Sequence, residues 1–115
     1  MEIFAWALQG LLAAVFLIAG LGKLFGFEMH KKSFEHWRLP QWFRVLTGLL
    51  ETVAAVLLIF GYWHTVSLLT GAWLLVAIGF GGVITHVRVK DSFKDTLMIT
   101  VLGILAIILL VIVTG

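Results

Sequence analysis

Glu51 sits near the middle of an apolar run, Val45 to Tyr62, where nothing about burial alone would keep a carboxylate. A charge at the centre of a membrane helix costs about 3 kcal/mol even on lenient insertion scales, so such a residue normally faces a partner or a watery cavity. Lys23 is the candidate to answer it. It lies one turn inside the end of the first apolar run, on a strip with Gln9, Ala13 and Gly20. Side chains lean toward the N-terminus of their helix, so a lysine near the end of one helix and a glutamate on an antiparallel neighbour lean toward each other. Such a pair could line a polar pocket or only fix helix packing. His86 follows Gly79 and Gly82 along one face of the third apolar run, and Thr96 and Thr100 open the fourth at comparable depth. With Lys23 and Glu51 they form the candidate lining of one pocket.

Other chemistries are excluded by residue type. The chain has no Cys, which removes disulfides, a CxxC redox pair and Cys-ligated zinc or iron–sulfur sites. His30, His36, His64 and His86 are spread over both ends of the runs, and no two make a ligand pair on one helix inside the membrane. Neither a metal nor a haem is expected, and no covalently bound cofactor. There is no P-loop, Rossmann glycine fingerprint, nucleophile elbow or paired-carboxylate motif, so no catalytic residue can be named.

The elements that must position these residues follow from composition. With 62% hydrophobic and 12% charged residues and a mean hydropathy of +1.13, the chain lies far outside the range of a soluble domain. Its 115 residues have room for four helices of the ~20 residues that a bilayer core demands, as a single all-α membrane domain. The spans are read at Ile3–Phe25, Trp42–Tyr62, Val66–Thr85 and Thr96–Val113. Between the first two, Phe27, His30, Phe34 and Trp37 recur at helical spacing opposite Glu28, Lys31, Lys32 and Glu35. That pattern predicts an interfacial amphipathic helix over residues 28–38. At 1.5 Å per residue, Glu51 lies roughly 13 Å below Trp42, near the bilayer midplane.

Every basic residue falls in or beside two connections: Lys23, Lys31, Lys32, Arg38 and Arg44 around one, Arg88, Lys90 and Lys94 around the other. The positive-inside rule then makes residues 26–41 and 86–95 cytoplasmic and puts both termini outside. The pI of about 9.3 reflects this topology, not nucleic-acid binding. Gly20, Gly22, Gly26, Gly48, Gly79 and Gly82 are expected to let helices approach closely, Gly22 and Gly26 in GxxxG form. Trp73, in mid-span, is expected to pack between helices.

Ala19-Gly20-Leu21-Gly22-Lys23-Leu24 closes the first run, an amphipathic linker ends in Leu39-Pro40, Gly48-Leu49-Leu50-Glu51 lies in the second run, Gly61 marks a turn, and His86 follows the third. In this order, and over nearly its whole length, the chain resembles the DoxX family of integral membrane proteins. The resemblance implies a compact four-helix bundle. It also implies kinship with the membrane subunit of a thiosulfate:quinone oxidoreductase and with proteins tied to quinone and catechol resistance and oxidative stress. A wider superfamily holds assembly chaperones and cargo receptors. Lys23, Glu51 and His86 match the family's polar positions. This chain is shorter than the thiosulfate subunits and lacks an extramembrane part and Cys, so sulfur chemistry is not expected of it.

The resulting expectation is a quinone- or redox-associated component of the cell (plasma or inner) membrane. Any enzymatic role would be that of a subunit of a quinone-linked oxidoreductase, not of a self-sufficient enzyme. Its partners would be the bilayer, a quinone or other small amphiphile, and a partner membrane protein or a second copy. Two alternatives stay open: a chaperone-like assembly factor, and a small multidrug/proton exchanger. In that exchanger class the Glu belongs to the first helix, where this chain has only Gln9, and the one-sided charge bias disfavours dual insertion.

Overall fold

The computed structural model describes residues 2–91 and 93–115, with the side chains of residues 93–95 outside that description. Ser92 and the side chain of Lys94, part of the second basic connection, thus lie outside the described residues. The chain forms five helices: α1 (Glu2–Phe25), α2 (Glu28–His36), α3 (Gln41–Phe60), α4 (Thr65–Arg88) and α5 (Phe93–Thr114). Among the described residues, α1, α3, α4 and the Thr96–Thr114 part of α5 are long and apolar enough to cross a membrane. The long axis of 39 Å suits a hydrocarbon core of ~30 Å with its interfaces.

The spans form a ring in which α1 packs on α3, α3 on α4, α4 on α5 and α5 back on α1. With lipid as the solvent there is no hydrophobic drive between helices, so close approach and dispersion must hold them together. Small residues provide it. A methyl at Gly48 would come within 2.8 Å of both the Gly20 carbonyl oxygen and the Lys23 Cβ, and one at Gly79 within 3.0 Å of the Gly103 Cα. Likewise, a methyl at Gly71 would meet the Leu57 Cβ at 3.0 Å, and one at Gly82 the Ile99 Cγ1 at 2.6 Å.

The packed core occupies one half of the bundle, the half holding the N-terminus of α1. Leu8, Leu12 and Phe16 of α1 meet Ala54, Ala55 and Leu58 of α3, Ala72 and Leu75 of α4, and Ala106 and Leu109 of α5 there. The other half is where the chain turns over α2, and it is less tightly filled. Trp73, expected to pack, is instead 61% exposed. Gly71, Ala72, Leu75 and Gly79 take the inner face of α4, which leaves Trp73 on an outward stripe with Phe80, Ile84 and Val87.

Three helices end the same way at the α2 end of the bundle. At the close of α1, the Phe27 N–H donates to the Gly22 carbonyl and the Gly26 N–H to the Lys23 carbonyl, with Gly26 at φ 73°. This is a Schellman cap, whose left-handed residue is normally glycine. Gly26, expected at a helix contact, therefore serves first as the residue that ends α1. The same pair of bonds closes α2 around Arg38 and α4 around Lys90, each at φ 58°. Pro40, extended at ψ 154°, precedes the first turn of α3, where its missing N–H costs nothing.

Candidate functional site

The close crossing of α1 and α3 at Gly20 and Gly48 lies one helical turn from Lys23 and Glu51 on their respective helices, and it brings those two side chains together. Lys23 Nζ lies 2.7 Å from Glu51 Oε1, with the residues 9% and 4% exposed. The contact is a close ion pair, and among the described residues no donor besides the Lys23 ammonium reaches Oε1. Removing two charges from water is repaid only when geometry and further hydrogen bonds are good, so this pair is stabilised incompletely by its surroundings.

Arg44 supports the pair from the side. It is 8% exposed, its guanidinium donates to the Lys23 backbone carbonyl, and its Nε donates to Gln41 Oε1 at 2.7 Å. A cation thus adds a second donor to a carbonyl in the last turn of α1 that the Gly26 N–H already meets, where the helix dipole favours positive charge. In the sequence Arg44 reads only as one of the cations beside the first basic connection. Its position in the first turn of a span is the sole hint of burial.

Lys23 and Glu51 form part of the wall of a cavity of about 350 Å³. The rest of the wall is mainly apolar: Phe34, Trp37 and Leu39 come from α2 and its exit, Phe43 and Leu50 from α3, and Leu74, Ala77 and Ile78 from α4. His86 also lines it, along with Gly81, Gly82, Thr47 and Thr85. Among the described residues, α5 contributes Ile99 to the wall. Thr96 and Thr100, placed there by depth alone, fall elsewhere on α5, and the Thr100 hydroxyl donates to the Thr96 carbonyl at 3.0 Å. Of the five pocket residues named from sequence, three therefore share this cavity. Its volume and its mainly apolar wall with a few polar groups lie within the range of small-molecule pockets.

Two residues of the cavity wall, Trp37 and His86, join a cluster centred on Asp91. His36 Nε2 donates to Asp91 Oδ1 at 2.6 Å, while His86 Nδ1 and Trp37 Nε1 donate to Oδ2 at 2.7 and 3.3 Å. The Trp37 ring stands edge-on to His86, with centroids 5.1 Å apart, and Arg88 donates to the Trp37 carbonyl. Hydrogen bonding from His36 holds the Asp91 carboxyl below its ordinary range, helped by His86 and Trp37 and opposed by burial. Nearby, burial, then Lys23 and Arg44, push the pKa of His30 down from its usual 6.5. Asp91, His36 and Trp37 carry no sequence signal for this role, because they meet only when α2 folds back over the bundle. Among the described residues, no group of three or more metal-ligating side chains converges.

A family model, that of the DoxX-like family, matches residues 7–113. The chain belongs to the DoxX-like family. Its similarity extends to the uncharacterized protein YdgD of Bacillus subtilis (strain 168), 28% identical over 81 residues that cover 69% of this chain and 71% of that protein. No solved structure matches this DoxX-like protein. It is a multi-pass membrane protein whose spans contact lipid.

Proposed function

We propose that this DoxX-like protein binds a quinone in its intramembrane cavity and serves a quinone-linked redox system as a membrane component. The observation that supports this is the Lys23–Glu51 pair in an otherwise largely apolar wall. The residues present fit such a group. Lys23 has donors beyond the one facing Glu51 for a ring oxygen, the Glu51 carboxylate has acceptor sites beyond the Lys23 contact for a ring hydroxyl, and Phe34, Trp37 and Phe43 offer aromatic surface to a planar ring. A bound quinone would supply the redox chemistry, and these side chains would bind and orient it. A carboxylate already met by an ammonium at 2.7 Å is a poor proton carrier, which favours binding over the exchanger reading.

The test is a titration of the protein in lipid nanodiscs with a decyl-tailed benzoquinone, followed by quenching of tryptophan fluorescence with Trp37→Phe as the signal control. Saturable binding is expected, and Lys23→Met/Glu51→Leu should weaken it at least about tenfold, a loss of about 1.4 kcal/mol. Equal binding by the double variant, or quenching that never saturates, would overturn the reading.

The orientation proposed for this site has the α2 end in the cytoplasm of a cell-membrane protein, motivated by the basic residues gathered there. Glu2→Cys and Lys32→Cys, both at exposed positions, should react with an impermeant maleimide from outside and only after permeabilisation, respectively. The reverse pattern would invert the topology.

A further inference from the structure

We infer that the cavity is loaded sideways from the bilayer, through a gap between the α2-side halves of α3 and α4, while the Asp91 cluster seals it from the aqueous side. The site therefore takes a membrane-dissolved amphiphile with an apolar tail. This route rests on reading the cavity as a binding site.

The gap follows from how α3 and α4 diverge. In the packed half, α4 approaches α3 closely, with the Gly71 Cβ position 3.1 Å from the Ala54 carbonyl oxygen. Further along α4 the cavity is lined from both helices. Ala77 and Gly81 line the cavity yet are exposed, and nothing lies within 4 Å of where a Gly81 Cβ would be. Across the opening, Phe43 and Leu50 of α3 also line the cavity, and they are 37% and 38% exposed. These rims are continuous with the lipid-facing stripe of α4, where Trp73 and Phe80 are 61% and 70% exposed. An opening with apolar rims at membrane depth is filled by lipid chains or by a ligand's tail, whereas the buried Lys23 and Glu51 at its base suit only a polar head.

The aqueous end is built differently. α2 makes its helix packing with α1 and α3, its own chain neighbours. On the α4 side it is held by the bonds of His36 and Trp37 to Asp91 and by Arg88 on the Trp37 carbonyl. Asp91 is itself anchored to α4, its N–H on the His86 carbonyl at 2.9 Å and its carboxylate on the His86 ring. Arg38 and Lys90, flanking the two halves of this seal, hold left-handed conformations that cost a non-glycine residue about 1–2 kcal/mol each. Such conformations persist where surrounding contacts over-determine them.

The chain has no Cys, so single introduced thiols report cleanly. In nanodiscs, Ala77→Cys should react with a bilayer-partitioning maleimide at a rate comparable to the lipid-facing control Trp73→Cys, and at least tenfold more slowly with a charged, water-soluble methanethiosulfonate. Adding Gly81→Leu should slow the maleimide severalfold at position 77 and leave position 73 unchanged. Adding His36→Ala, a change at a side chain 61% exposed and so tolerable to the fold, should speed the charged reagent severalfold. His64→Ala, at the opposite end, should change neither rate. Equal rates for the two reagents, a position 77 inert while position 73 reacts, or indifference to Gly81→Leu would each overturn the lateral route. Indifference of the charged reagent to His36→Ala would overturn the seal. Because none of these rates involves a quinone, failure of quinone binding with this labelling pattern intact would remove the quinone reading alone.

Discussion

Glu51→Gln should destabilise the bundle by about 3–5 kcal/mol, because it leaves the Lys23 ammonium buried without its counter-charge. The replacement of both partners should behave oppositely. Lys23→Met/Glu51→Leu puts apolar side chains of similar volume in a setting that is already apolar, and such exchanges of buried pairs are often neutral or stabilising. The expected result in denaturant titration of the detergent-solubilised protein is therefore a large loss for the single variant and recovery in the double. If Glu51→Gln proves as stable as the parent, the pair is not energetically coupled and the carboxylate is solvated through the cavity. The double variant also separates two roles. A folded double variant that still binds quinone makes the pair a packing device, while a folded one that does not bind makes Lys23 and Glu51 the site.

Gly48→Ala should cost about 1–3 kcal/mol, the usual range for forcing an extra methyl into a tight contact. The new methyl would meet the backbone oxygen of Gly20 at 2.8 Å and the Lys23 Cβ at 2.8 Å, and a backbone atom cannot swing aside as a flexible side chain can. The damage should reach the site, since separating α1 from α3 pulls Lys23 away from Glu51 one turn on. The same substitution at Gly81 should be harmless or stabilising by up to about 1 kcal/mol, because alanine is the better helix former and that position has no neighbour within 4 Å. Thermal unfolding of the two variants side by side checks this. Equal effects would mean that the α1–α3 crossing is looser than the structure shows.

Much of this architecture is legible in the sequence because hydropathy and helical period are local properties. The spans, the amphipathic helix over the α2 region and the isolation of Glu51 in an apolar run all follow from residues within a few turns of one another. The lean of antiparallel side chains even indicates that Lys23 and Glu51 can approach. Depth along a helix, however, does not give direction around it. Thr96 and Thr100 have comparable depth to His86 but a different azimuth from Ile99, and only the packing of α5 on α4 decides which of them meets the cavity. Gly26 shows a related ambiguity: a GxxxG spacing looks the same whether its second glycine packs on a helix or ends one.

The sequence by itself determined the solvent, the number of spans, the family resemblance and the ionisable residues that must find partners inside the membrane, because transfer energies and periodicity act along the chain. The tertiary structure alone decided that the bundle is packed at one end and hollow at the other, that Arg44 is buried against the end of α1, and that His36 reaches Asp91, 55 residues away. Those contacts depend on the angles at which helices cross and on how α2 folds back over them. Those angles are set by small residues acting in pairs across different helices, such as Gly20 with Gly48 and Gly79 with Gly103, and such pairings have no signature in one dimension.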